Sequence, residues 1–187
     1  EHEALFTPLA TYLTLLEKWN KVYNLTAVRS LEDMVSKHIL DSLAVAPFIK
    51  GNVILDVGSG AGLPGIPLAI LFPHKNFILL ESIGKKACFL EMVKGHLALS
   101  RLHVIHSRAE AYQPLLPVDC VISRAVASVS QLIQWTHAYV RPGGRWVLMK
   151  GQIPTEELIE VRQRYHVHSY QVPGLAAARC VVCVERD

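Results

Sequence analysis

The chain has 187 residues, 51% of them apolar, which is enough for one domain with a sizeable core and no covalent staples. Lys and Arg exceed Asp and Glu by three, a mild basicity that fits an anionic partner without demanding one. No apolar run approaches the ~20 residues needed to cross a bilayer and no signal peptide is visible, so a cytoplasmic protein with four reduced cysteines is expected. The chain does not open on Met, so N-terminal residues are expected to be missing from it.

Residues 4–19 carry Leu5, Leu9, Tyr12, Leu13 and Leu16 at helical spacing, and Asn20 and Asn24 break the pattern. Ser30 reads as the cap of a second helix, with Asp33 three residues on and Val35, Ile39 and Leu43 along one side. No strand precedes residue 51, so residues 1–50 form a helical extension and residues 51–187 the main domain, packed as one unit. Strands at 53–57, 77–81, 102–106, 118–123 and 145–150 then alternate with helices at 85–99, 128–139 and 154–162. A loop or helical turn lies at 109–112 and a turn at Arg141-Pro142-Gly143-Gly144. This alternation predicts a doubly wound, mostly parallel α/β sheet of Rossmann-like form. Strands at 165–172 and 179–185 have no helix between them and predict an antiparallel hairpin at one edge. Cys180 and Cys183 fall in that last strand and would face opposite ways. With no second ligand pair nearby, no metal site is expected and all four cysteines read as structural.

The stretch 53–67 (VILDVGSGAGLPGIP) joins a strand to a helix through glycines at alternate positions, Gly58, Gly60 and Gly62. Gly60-x-Gly62-x-x-Gly65 also matches a dinucleotide fingerprint, which leaves an NAD(P)-binding oxidoreductase as one alternative. Asp56 argues against it. A pyrophosphate would lie on the following helix N-terminus, and a carboxylate there would repel it. S-adenosylmethionine has no phosphate and carries an ammonium and a sulfonium, which an acid favours. Glu81, at the end of the second strand, suits the two ribose hydroxyls of either cofactor. With the Arg141–Gly144 turn, these residues resemble those of Rossmann-like S-adenosylmethionine methyltransferases.

The acceptor is narrowed by what is missing. Amino-group methylation in that superfamily uses an Asn/Asp-Pro-Pro-aromatic tetrapeptide after strand four, where this chain reads Ile122-Ser123-Arg124-Ala125-Val126. Pyrimidine C5 methylation needs a cysteine nucleophile at the mouth, and Cys88 and Cys120 lie inside a helix and a strand. A ring nitrogen with an exposed lone pair needs neither.

Further motifs sharpen this. Trp19-Asn20, Asn24-Leu25-Thr26-Ala27 and the 38–43 stretch HILDSL are followed by Leu63-Pro64-Gly65-Ile66-Pro67, Glu81-Ser82 and Lys85-Lys86. Ser107-Arg108-Ala109-Glu110, Ser123-Arg124-Ala125 and Lys150-Gly151 complete the set. On these the chain closely resembles the bacterial small-subunit ribosomal RNA guanine-N7 methyltransferases, the glucose-inhibited division protein B family. The resemblance implies methyl transfer from S-adenosylmethionine to N7 of a guanine in 16S rRNA, on free rRNA or the small subunit. It also implies cofactor contacts at Gly58, Leu63, Ala109, Glu110 and Arg124, joined by Asp56, Gly60, Gly62 and Glu81.

Arg124 and Lys150 end strands four and five on the edge where ligands bind. They are the candidates for the transfer site, where the protein's task is mainly positioning. Lys85 and Lys86 read as a solvated face or phosphate rim. His38 and Asp41 share a helical face, where a histidine fastening the extension to the core is favoured over a general base. His103, His106, His166 and His168 read as strand residues. Trp19 and Tyr23 either pack the helical cap or stack on a base, and Arg29, Lys37, Arg108, Arg141 and Arg145 could form a basic rim. A monomer is the expected state. A non-catalytic S-adenosylmethionine- or RNA-binding module is the remaining alternative, although nothing in the glycine loop looks broken.

Overall fold

The computed structural model describes residues 2–187, with side chains from Ala4 onward. Helix α1 (His2–Tyr23) buries Leu9, Tyr12, Leu13 and Leu16 on one face. It runs past residue 19 because Asn20 turns inward. The Asn20 amide donates to the Val28 carbonyl and accepts the Thr26 N–H, both at 2.9 Å. The residue that interrupts the apolar pattern therefore staples the next loop, and Asn24, at φ 50°, ends the helix. Ser30 caps α2 (Leu31–Met34) by accepting the Asp33 N–H at 3.1 Å. A π-helical stretch, Val35–Leu40, leads into α3 (Asp41–Leu43). The wider π turn rotates the buried face. His38, Ile39 and Asp41 point inward, while Val35, expected on the inner side, is exposed.

Seven strands form one sheet in the order β3-β2-β1-β4-β5-β7-β6. They are β1 (Val53–Val57), β2 (Asn76–Glu81), β3 (Leu102–His106), β4 (Val118–Arg124), β5 (Val140–Lys150), β6 (Tyr165–Val172) and β7 (Leu175–Glu185). β1 to β5 run parallel, and β7 pairs antiparallel with β5 and with the edge strand β6. The parallel α/β sheet and its edge hairpin are as the sequence predicts. The connecting helices are α4 (Gly65–Leu71), α5 (Gly84–His96), α6 (Val129–Thr136) and α7 (Thr155–Leu158). Ile54 and alternate residues of the other strands share a core with α1, α4 and α5. Leu55, Val57 and the opposite sheet face share a second core with α6 and Leu158 of α7.

Several expected boundaries change, among them α6, which ends at Thr136, and β7, which starts at Leu175. The 141–144 segment is part of β5, because Gly143 N–H donates to the Arg186 carbonyl and Arg186 N–H to the Gly144 carbonyl. The helix expected over 154–162 shrinks to α7, whose one buried residue is Leu158. Ala98, at φ 50°, follows the end of α5 and stops the helix expected to reach residue 99. Cys120, Cys180 and Cys183 are buried and free, whereas Cys88 is exposed on α5, where no core packing explains it. No helix among the described residues is long and apolar enough to cross a membrane.

Candidate functional site

The parallel strands aim their carboxyl ends at one edge of the sheet, and the glycine turn sits there after β1. The sequence reading puts Asp56 at the open mouth of this turn. It lies beneath it instead, with no exposed surface, because its strand position faces α4. Its Oδ2 accepts the Gly65 N–H at 3.0 Å, and its Oδ1 has no partner among the described residues. Burial pushes the Asp56 carboxyl up to about 7, against the lowering pull of the Gly65 N–H, Ser59 and Arg124. A Cβ on Gly65 would come within 2.6 Å of Oδ2 and 2.3 Å of Leu79, so only glycine lets the helix start this close. The carboxylate thus fills the place at the start of α4 that a pyrophosphate would need.

Gly58 and Ser59 donate their N–H groups to the Leu80 carbonyl at 2.8 and 3.2 Å, bending the turn back over β2. Glu81 closes it from the other side. Its Oε2 accepts the Gly60 N–H and its Oε1 the Ile83 N–H, both at 2.7 Å. Each oxygen keeps a further lone pair for a hydroxyl. A cavity of about 160 Å³ opens here, lined by Gly58, Ser82, Ala109, Glu110, Val126 and Trp135 among others. Gly58 is at φ 68°, and a Cβ on it would meet Val126 at 2.4 Å. The Tyr139 hydroxyl lies 2.8 Å from the Ala109 carbonyl oxygen and also against that of Tyr112, sharing its one proton between them, which fixes the cavity's far wall. The structure therefore gathers Gly58, Ala109 and Glu110 on this cavity, with Glu81 buried beside it between the lining residues Leu80 and Ser82. Gly62 and Leu63 are turned away: a Cβ on Gly62 would lie 2.3 Å from Ile66, and Leu63 packs in the core.

A second cavity of about 380 Å³ is lined by Arg124 and Ala125, which directly precede Val126 of the first, and by Met149, Lys150, Arg179 and Asp41, with Gly151. Arg124 Nη1 donates to the Lys37 carbonyl at 3.0 Å and lies 3.5 Å from Asp41 Oδ2. Asp41 Oδ1 accepts from Tyr170 Oη at 3.1 Å and Arg179 Nε at 3.2 Å. His38 pairs with Thr26 Oγ1 at 2.9 Å. Burial and the nearby Arg124 charge hold its pKa down to about 4, so it is neutral at physiological pH. Both partners lie in the helical extension, so this bond ties the extension to itself and does not make the expected link to the core, which Asp41 makes instead. Lys150 donates to the Ala127 carbonyl at 3.0 Å and to Glu157 at 2.8 Å.

Sequence reasoning missed Arg179, Tyr170, Tyr139 and Trp135. None belongs to a motif, and each reaches the site only through sheet order. Arg141 and Arg145, expected on a basic rim, pair with Asp119 and Glu185 near the amino ends of the parallel strands. Trp19 packs on Tyr23 and Phe89, with ring centroids 5.1 and 5.6 Å away.

The donor set fits S-adenosylmethionine. Gly58 faces the cavity without a side chain, the strand-end acid Glu81 beside it has lone pairs for a ribose, and Asp56 occupies the start of α4 where a pyrophosphate would sit. Fold and site together define a Rossmann-like, S-adenosylmethionine-dependent methyltransferase. A family model described as rRNA small subunit methyltransferase G matches residues 6–181, and the chain belongs to that family. The ribosomal RNA small subunit methyltransferase G of Legionella pneumophila (strain Corby) is 50% identical over 182 residues, covering 97% of this chain and 88% of the relative. That of Pseudomonas syringae pv. tomato is 50% identical, covering 98% and 89%. Among solved structures, the precorrin-6y C5,15-methyltransferase of Geobacter metallireducens aligns at TM-score 0.61 and 13% identity, over 87% of this chain and 91% of that one. A predicted O-methyltransferase from Agrobacterium tumefaciens aligns at TM-score 0.63 and 20% identity, over 78% and 80%. These two likenesses concern the fold alone.

Proposed function

We propose that the protein transfers the methyl group of S-adenosylmethionine to N7 of a guanine in 16S rRNA. It works in the cytoplasm as a monomer, with residues 1–50 and 51–187 acting as a single unit. The observation that carries this reading is the shared wall between the two cavities. Val126 borders the cofactor side, and Arg124 and Ala125 border the other. In-line transfer needs the acceptor lone pair about 3–3.5 Å from the methyl carbon, on the side away from the leaving sulfur. When bound, the cofactor supplies an electrophilic methyl on a sulfonium; the protein's residues hold, orient and shield.

The groups beside the second cavity suit a ring nitrogen. Guanine N7 presents its lone pair without losing a proton, so no base is required. Asp41 is committed to Arg124, Arg179 and Tyr170, and His38 to Thr26. Burial pushes the Cys120 thiol up to about 12, which leaves no thiolate for attack at a pyrimidine carbon. The Arg124 and Arg179 guanidiniums supply donors for guanine O6 or a phosphate. The base must leave its stack to enter, as bases in unpaired RNA do.

The test uses methyl-labelled cofactor and small ribosomal subunits from a strain lacking the modification. Label is expected in 16S rRNA and, after digestion, in 7-methylguanosine. Unlabelled RNA would refute the proposal, and label in another nucleoside would refute the N7 assignment. Arg124→Ala is expected to lose activity while remaining folded.

A further inference from the structure

Lys150 ends β5 and lines the second cavity with Arg124, and the sequence makes it a candidate for the transfer site. The ammonium is engaged elsewhere. It donates to the Ala127 carbonyl at 3.0 Å and to Glu157 Oε2 at 2.8 Å. The same Glu157 oxygen accepts the N–H of Val129, the first residue of α6, at 2.8 Å. The Lys150 and Glu157 side chains are only 13% and 33% exposed, so their charge-assisted contact is partly shielded from water.

The segment held in this way runs from residue 124 to 129 and is the wall between the two cavities. Ala125 sits at φ 56° on the second-cavity side. A non-glycine residue persists in that conformation only where its flanks over-determine it. Val126 lines the cofactor side and occupies the space over Gly58. On one flank Arg124 is tied to the Lys37 carbonyl. On the other, Ala127 and Val129 are tied to Lys150 and Glu157.

We propose that Lys150 and Glu157 form a latch that sets the wall between the cofactor and acceptor cavities. Lys150 is then a positioning residue for methyl transfer and not a contact to RNA. The assignment of the two cavities rests on the functional reading above. The latch's effect on cofactor affinity does not require RNA at all.

The test compares Lys150→Met, Glu157→Ala and the double variant, with Glu156→Ala as control. Glu156 is the exposed neighbour outside the latch. S-adenosylhomocysteine binding is read by calorimetry and methyl transfer to unmodified small subunits by label. Lys150→Met keeps the alkyl stem; Lys150→Gln replaces it if that variant does not fold. Each single variant is expected to weaken S-adenosylhomocysteine binding about 3- to 10-fold, and the double no more than about twofold beyond the weaker single. Glu156→Ala is expected to bind as the parent does. A Lys150→Met variant with unchanged binding but slow transfer, beside a silent Glu157→Ala, would overturn the proposal and make Lys150 a substrate contact. Multiplying losses in the double variant would overturn it too. A parent protein that binds S-adenosylhomocysteine and shows this coupling without methylating RNA would support the latch while refuting the functional reading.

Discussion

Two buried titratable residues pull stability in opposite directions over one pH window. Asp56 has its pKa raised from 3.8 to about 7 by burial. Folding therefore takes up a proton between those values, and stability falls as pH rises from about 4 to 7. His38 has its pKa lowered from 6.5 to about 4, first by burial and then by Arg124. Folding there releases a proton, and stability falls as pH drops from about 6.5 to 4. The two effects oppose each other across most of the window and flatten the parent's profile. Asp56→Asn removes one and His38→Gln the other. Urea unfolding between pH 4.5 and 6.5 is expected to give slopes of opposite sign, each up to about 1.4 kcal/mol per pH unit. The Asn variant weakens toward acid and the Gln variant toward neutrality; parallel slopes would contradict this account. That Asp56 and Glu81 are strand-end acids can be read from the sequence. Their backbone partners cannot, because Gly65 and Gly60 reach them only after the turn has folded back over β2.

At the level of elements, the helical extension is joined to the site by polar contacts as well as by apolar packing. Tyr12 of α1 is fully buried and donates to the Ala61 carbonyl, inside the glycine turn, at 2.7 Å. Asp41 of α3 collects Arg124 from β4, Tyr170 from β6 and Arg179 from β7. Losing Asp41's charge leaves two guanidiniums, each about a quarter exposed, facing one another across the cavity. Asp41→Asn is expected to lower unfolding stability by about 3 kcal/mol, and Tyr12→Phe by about 1–2 kcal/mol through an unpaired buried carbonyl. Chemical denaturation measures both. A loss below that of Tyr12→Phe in the Asp41 variant would show that Asp41 is not the joint between extension and sheet. Apolar periodicity reveals α1 because Leu9, Leu13 and Leu16 repeat along it. It places the helix's end four residues early because Asn20 is polar, and only the fold shows that its amide is satisfied internally. HILDSL is read as a helical face, but the π turn that aims both His38 and Asp41 inward leaves no trace in spacing counted at 3.6 residues.

For the whole molecule, the parallel order of β1 to β5 follows from strand–helix alternation, and the final hairpin from the absence of a helix between β6 and β7. The second cavity could not be read in this way. It is assembled from α3, β4, β5 and β7, and no rule of local spacing brings residues 41, 124, 150 and 179 together. The same architecture makes a prediction about cofactor choice that no single residue makes. The start of α4, where a dinucleotide pyrophosphate would sit, is sealed by Asp56, while the cavity between Gly58 and Ala109–Glu110 stays open. A ligand that binds only the folded state stabilises it by about 2.7 kcal/mol at a hundred times its Kd. For a chain of this size that raises Tm by roughly 5–10 °C. S-adenosylhomocysteine is expected to produce such a rise in a thermal melt, and NAD at the same concentration none. Above pH 7, where Asp56 is ionised, Asp56→Asn removes the charge that would repel a pyrophosphate but leaves the space filled, so NAD should still give no shift. A rise with NAD in the parent would mean that Asp56 does not govern the choice of cofactor. A rise in the Asn variant alone would mean that it acts by charge and not by filling the helix start.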